Sequence, residues 1–265
     1  MPILPPLNRR RCLAALAGAV ALAPSARADE AGPVVAAASD LKFALDTIAV
    51  DFTRHTGHPL RLSYGSSGNF FRQIVQGAPF ELFLSADEDF VFQLAERRLV
   101  DGRGALYAVG RLVLYAPAGS PLTPDPALVD VAAALADGRL RRFAIANPAH
   151  APYGRAARQV LVNTGLWAQI EPRLVLAENV SQAAQFARSG SAQGGIFALS
   201  LVLPPGPPDT GRHVLLPDAL HSPLRQRMVL ARKAGAVARS FYGWLQRDEA
   251  RAVLRRHGFA LPGGG

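Results

Sequence analysis

The chain has 265 residues, 49% of them hydrophobic, and a formal net charge of +9. Four arginines (Arg9, Arg10, Arg11 and Arg27) and no acid fall within residues 1–28, so residues 29–265 carry 25 basic against 20 acidic side chains, a net charge of +5. The remaining cations are scattered or lie near acids, as Arg141-Arg142 and Arg255-Arg256 do, which describes a solvated surface and argues against a nucleic-acid partner. The only cysteine, Cys12, precedes the N-terminal apolar run, so a chain starting after that run has no disulfide, thiolate metal site, cysteine nucleophile or lipoprotein cysteine.

Residues 1–28 read as an export signal. Arg9 to Arg11 form the basic region, Leu13–Ala23 is an apolar run too short to span a bilayer, and Ala26-Arg27-Ala28 is a small-x-small cleavage site. The mature chain is expected to start near Asp29, after a general secretory or twin-arginine signal. The 237 residues that remain suffice for two α/β domains with a sizeable buried core. No later stretch is apolar for long enough to be a membrane span.

Pro33–Ser39 (PVVAAAS) is a short apolar run, predicted as a buried strand. From Asp40, apolar residues at helical spacing (Leu41, Ala44, Leu45, Ile48, Ala49, Phe52) predict a helix that stops at Gly57. Pro59–Tyr64 repeats the strand, the small-residue turn Gly65-Ser66-Ser67-Gly68 follows, and Asn69–Gln76 is the next helix. Phe80–Ser85 is a strand, and Asp87-Glu88 opens a helix to Arg97. Tyr107–Ala116 reads as one longer β run, and the proline-rich Pro117–Pro126 as the passage into a second domain.

In that second domain Phe143–Asn147 is a strand, and His150-Ala151-Pro152-Tyr153-Gly154 is a turn feeding a helix over Arg155–Thr164. Leu174–Ala177 is the next strand, with Ser181 as N-cap of a helix over Gln182–Arg188. Gly194–Leu199 is a further strand, Pro204–Pro208 a loop, and Arg225–Ala231 a return strand. Two helices, Val237–Gln246 and Asp248–His257, close the chain. Strands alternating with helices predict parallel sheets joined by crossover helices. In such sheets ligands bind at the carboxyl ends of strands against helix N-termini. Four junctions fit that place: Ser39, Ser67, Tyr153-Gly154 and Val180-Ser181. Two fall in each half, so the expectation is a cleft between two domains.

Gly and Ser before a helix start offer unpaired backbone N–H groups beside hydroxyls, which suits an anion. Taken alone, Ser66 and Ser67 are explained as a helix cap; it is the recurrence at four junctions that favours a binding site. None of the four has Lys, Arg or His at the donor position, and neutral donors with helix dipoles can hold a fully ionised tetrahedral dianion. Asp40 has two readings: a first-turn acid favouring the helix dipole, or a carboxylate facing the site that accepts a proton from a monoprotonated oxyanion.

An enzyme would need a nucleophile, a base and an orienting group. Gly65–Gly68 is not a G-x-S-x-G elbow, and no dinucleotide fingerprint or phosphate-loop lysine occurs. The histidines at 55, 58, 150, 213, 221 and 257 read as surface residues. Glu81 and Asp87 are more simply a strand residue and a helix-cap acid than a catalytic pair. The chain is therefore read as a non-enzyme without a cofactor.

Several blocks in order resemble the periplasmic molybdate-binding protein family, the solute receptors of molybdate ABC transporters. They are AAASDLKFALDTIA (36–49), the GSSG turn with RQIVQGAPFELFLSADED (72–89), NPAHAPYGRAARQVL (147–161), ENVSQAAQFARSG (178–190) and RRHGFALP (255–262). The resemblance implies a two-domain, type II periplasmic-binding-protein fold. Domain 1 is discontinuous (29–112 and 225–265), domain 2 spans 113–224, and a hinge closes over the anion. It also implies a monomeric periplasmic receptor passing molybdate and tungstate to a membrane permease, with a receptor for sulfate or phosphate as the alternative. The metal enters only as the oxyanion, held through Ser39, Ser67, Tyr153 and Val180, the last by its backbone. The family's tyrosine after a G-I-V strand is replaced here by Ala198, and the resemblance implies that Tyr153 supplies the phenol instead. Asp40 stands where a subgroup has a neutral amide.

Overall fold

Strands of four to seven residues, apolar runs at the sheet centres and mixed sequences at some edges, form two sheets packed against the helices between them. The computed structural model describes residues 32–203 and 211–263; the predicted export signal and the Pro204–Pro208 loop lie outside them. The chain runs β1 (Val34–Ala38), α1 (Lys42–Thr56), β2 (Arg61–Gly65), α2 (Ser67–Val75), β3 (Leu82–Ser85), α3 (Glu88–Glu96), β4 (Ala105–Gly110) and β5 (Leu112–Ala116). It continues through α4 (Val129–Ala136), β6 (Phe143–Ala146), α5 (Pro152–Asn163), the single turn α6 (Trp167–Ile170), β7 (Leu174–Ala177), α7 (Val180–Arg188) and β8 (Gly194–Ala198). The last elements are β9 (Arg212–Leu215), β10 (Leu224–Leu230), α8 (Ala236–Trp244) and α9 (Asp248–Arg256). Among the described residues no helix is long and apolar enough to cross a membrane.

The first sheet has the order β2-β1-β3-β10-β4 and the second β7-β6-β8-β5-β9. Each is therefore the base of one lobe. Side-chain alternation along the strands splits the first lobe's core in two. Val35, Ala37, Leu82, Leu84 and Met228 pack against α1, α8 and α9, where Leu45, Phe52 and Phe241 are buried. Ala36, Phe83 and Val229 point the other way, to Phe70, Val91 and Leu94 of α2 and α3. The second lobe has one cluster, in which Phe143, Ile145, Ile196 and Leu114 meet Val160, Leu161 and Ala183.

Four expectations are corrected. The sheets are mixed rather than parallel: β1 pairs parallel with β2 and β3, and β6 with β7 and β8, but β10 and β5 pair antiparallel with their neighbours. The β5 and β10 strands enter a sheet directly from the other one, without the crossover helix that enforces parallel pairing. The run Tyr107–Ala116 is two strands, in different sheets, so the chain crosses between lobes at Gly110-Arg111 and not in Pro117–Pro126. The helix α4 was not expected. Asp125 holds the turn ahead of its start, its Oδ1 accepting from the N–H groups of Ala127 and Val129, both at 3.0 Å. The α7 helix begins two residues earlier than expected, because Asn179 and not Ser181 is its N-cap, accepting from Gln182 N at 3.1 Å.

Candidate functional site

The carboxyl ends of the parallel strands β1, β2, β6 and β7 all lead into helix starts, and these meet at the seam between the lobes. Ser39 and Asp40 follow β1 in a short 3-10 turn, and Ser66 and Ser67 follow β2 at the start of α2. Tyr153 is the second residue of α5 behind Pro152, and Val180 is the first of α7. The α5 start thus lies three residues ahead of the expected one, because proline's fixed φ suits the first helical position. These six side chains and backbones line one pocket. All five residues singled out from the sequence as oxyanion ligands are among them: Ser39, Asp40, Ser67, Tyr153 and Val180.

The cavity between the lining atoms is about 10 Å³. That is about the room one water-sized group needs, and far below the roughly 300 Å³ at which drug-sized ligand pockets begin. A small solute is the size that fits. The two serines are oriented by what they accept. Ser39 Oγ takes the N–H of Ser181 at 3.2 Å, and Ser67 Oγ takes the N–H of Ala86 at 2.9 Å. With a backbone donor already on each oxygen, each hydroxyl hydrogen remains for a further acceptor. The N–H groups of Tyr153 and Val180 lie in first turns, where no intrahelical acceptor exists. The set therefore offers two hydroxyls and two backbone donors, and none of the lining residues is cationic.

The Tyr153 phenol does not match its expected role as a donor from the pocket wall. Its hydroxyl donates to Asp40 Oδ2 at 3.0 Å and accepts from Gln226 Nε2 at 3.1 Å. Gln226 Nε2 also donates to Asp40 Oδ2 at 2.6 Å, and its Oε1 accepts from the Tyr107 hydroxyl at 2.8 Å. Asp40 is 1% exposed, and burial pushes its carboxyl up from 3.8 to about 6 despite the opposing hydrogen bonds from Gln226 and Tyr153. Burial, then the Asp40 charge, holds the phenol of Tyr153 well above its ordinary range, and likewise that of Tyr107.

Sequence reasoning missed three supports of this site, Gln226, His150 and Ser200. Gln226 is fully buried on β10. The signal was present in LRQRMVL, where Gln226 shares the parity of Leu224 and Met228 and so belongs to a buried face. His150, taken for a surface residue, is buried, with Nδ1 at 2.9 Å from Ser66 Oγ and Nε2 at 3.5 Å from Glu178 Oε2. His221 is buried as well, its Nδ1 at 2.8 Å from the Ser222 carbonyl. Ser200 donates to the Asp40 carbonyl at 2.8 Å. No local pattern marks the His150 and Ser200 contacts, which join residues 84 and 160 positions apart.

Two sheet-based lobes whose helix starts surround a small pocket at the seam define a solute-capturing protein of the periplasmic-binding-protein fold. Residues 33–260 match the family model described as bacterial extracellular solute-binding protein, and the chain belongs to that family. It is 37% identical to the molybdate-binding protein ModA of Rhodobacter capsulatus over 86% of this chain and 88% of that one. It is 36% identical to the Azotobacter vinelandii protein of the same name over 92% and 95% of the two chains. The solved periplasmic molybdate-binding protein of Azotobacter vinelandii superposes with a TM-score of 0.77 at 33% identity, covering 87% of this chain and 99% of that one. The sulfate-binding protein SubI of Mycobacterium tuberculosis shares the fold, with a TM-score of 0.71 at 13% identity over 88% of each chain.

Proposed function

We propose that this protein is a periplasmic receptor that captures molybdate, and tungstate, between its lobes and delivers it to the membrane permease of an ABC importer. The observation that carries the reading is the donor set: Ser39 and Ser67 keep hydroxyl hydrogens for a ligand, Tyr153 and Val180 add backbone N–H groups, and no cation lines the pocket. A permanently charged tetrahedral dianion needs donors but no counter-charge, since helix dipoles and neutral N–H groups supply the field. The names of the relatives at 36% and 37% identity supply the choice of molybdate within that class.

The same reading has the chain exported as a monomer by a cleaved signal over residues 1–28. It divides the mature protein into domain 1 (29–112 and 225–265) and domain 2 (113–224). Sheet membership supports that division, since β1–β4 and β10 share one sheet and β5–β9 the other. Molybdate is cargo here; the protein is a carrier and performs no chemistry on it. Calorimetric titration of the signal-less protein with molybdate, tungstate, sulfate and phosphate tests the function. One-to-one binding of the first two with sulfate silent is the expected result. Preference for sulfate or phosphate would reassign the cargo, and silence from all four would remove the receptor reading.

A further inference from the structure

Asp40 carries one oxygen too many for its surroundings. Its Oδ2 accepts from both Gln226 and Tyr153, whereas Oδ1, buried in the same carboxyl group, has no partner at hydrogen-bond geometry, although the backbone N–H groups of Asp40 and Leu41 lie close enough to favour the ionised carboxyl slightly. The residue lines the pocket beside Ser39, and an ionised carboxylate there would face a dianion across a few ångströms of low-dielectric space. We propose that Asp40 is the proton-carrying ligand of the site: it takes up one proton on Oδ1 as a fully deprotonated tetrahedral dianion binds, and donates that O–H to an anion oxygen. The inference rests on the anion-receptor reading and adds to it a residue that sets the charge state of the complex.

The geometry determines where the proton goes. An oxygen that already accepts twice has little capacity left for an O–H, so Oδ2 stays the acceptor and Oδ1 becomes the donor. The proton comes from solvent, no bond of the anion breaks, and the complex carries one negative charge fewer than the anion plus the ionised carboxylate. A buried carboxylic acid kept neutral so that it can donate a hydrogen bond is established chemistry.

The neighbours of Asp40 agree with this. The titratable groups that face it are the phenols of Tyr153 on α5 and Tyr107 on β4. On β10 it meets the neutral amide of Gln226. Cations on adjoining elements are committed elsewhere: Lys42 to Asp46, Arg155 to Asp87, Arg225 and Arg227 to Glu88, while Arg188 donates to the Leu201 carbonyl. Burial has already raised the Asp40 carboxyl to about 6 without any anion, and a dianion in the pocket moves it further the same way.

Titration calorimetry of the signal-less protein with sodium molybdate, from pH 6 to pH 8.5 in two buffers of different ionisation enthalpy, counts the protons. The wild type should take up about one proton per anion at pH 8, and its affinity should fall about tenfold per pH unit above the free carboxyl's pKa. Asp40→Asn presents an N–H₂ in place of the O–H, so its proton count should be near zero and its affinity flat with pH. Tight wild-type binding with no proton uptake overturns the inference and leaves the receptor reading intact. The same slope in folded Asp40→Asn places the proton on another group and also overturns it. Should the variant fail to fold, the wild-type count decides alone. No molybdate binding at any pH overturns both readings together, so the two failures are told apart.

Discussion

Ser39 and Ser181 exchange two hydrogen bonds across the lobe seam: the N–H of Ser181 donates to Ser39 Oγ at 3.2 Å, and Ser181 Oγ donates to the Ser39 carbonyl at 2.7 Å. One residue belongs to the turn after β1 and the other to the first turn of α7, so the pair ties the lobes at the edge of the pocket while aiming the Ser39 hydroxyl. Ser181→Ala removes one of the two bonds and keeps the other. The expected cost is about 0.5–1.5 kcal/mol, seen as a 2- to 10-fold weaker anion affinity with unchanged stoichiometry. Calorimetry measures it, and an unchanged affinity would show that the pair does not contribute to closure.

Ser67 differs from its neighbour Ser66 in what its hydroxyl does. Ser66 caps α2 and meets His150, whereas Ser67 Oγ accepts from Ala86 and has its hydrogen to give. Ser67→Ala therefore should cost about 1–3 kcal/mol of anion binding, because a donor to a charged group is lost. Ser66→Ala should instead lower the melting temperature through a lost cap worth about 0.5–2 kcal/mol. Titration and thermal melts of both variants separate the roles, and wild-type affinity in Ser67→Ala would remove that serine from the site.

The contrast between those serines shows what was legible in the sequence. The strand-turn-helix units could be read because β1, β6 and β7 are continuous apolar runs ending at small or polar residues, and α1 and α2 show helical spacing. The four turns that line the pocket followed from that reading, since in such sheets helix starts gather at the strands' carboxyl ends. What could not be read depends on contacts distant in sequence. The Tyr107–Ala116 run is apolar on both sides of Gly110-Arg111, so nothing local shows that β4 and β5 join different sheets. The α4 helix is rich in alanine, and its buried Val131, Ala134 and Leu135 barely stand out from their neighbours. The resemblance implies a ligand-facing phenol at Tyr153 in place of the one absent at Ala198; its hydroxyl goes to Asp40, 113 positions away.

Stability should carry the mark of Asp40 even without an anion. Its carboxyl titrates at about 6 in the folded protein against 3.8 ordinarily. Between those values the native state holds a proton that the unfolded chain has released, so this group's contribution falls as pH rises from about 4 to about 6 and stays low above that. Asp40→Asn removes the penalty and should be more stable than wild type at pH 7.5 by about 2–3 kcal/mol, with little difference near pH 3.5. Denaturant unfolding at the two pH values checks this. An equal effect at both would mean that Asp40 is not buried as a carboxylate.

Gly110 should prove intolerant of any side chain. It ends β4 where the chain leaves the first sheet, and a Cβ there would lie 2.1 Å from the Tyr153 hydroxyl and 2.8 Å from Gln226 Nε2. Both atoms are fixed by Asp40, so neither can move without breaking the bonds that hold its Oδ2. Gly110→Ala is expected to destabilise the fold by about 1–3 kcal/mol through overpacking. For a chain of this size that lowers the melting temperature by about 2–4 °C per kcal/mol. Because the displaced groups are those that hold the carboxyl, the variant's anion affinity should also lose part of its pH dependence. A melt and a pH series on the same preparation test both, and an unchanged melting temperature would place the Tyr153 hydroxyl away from Gly110.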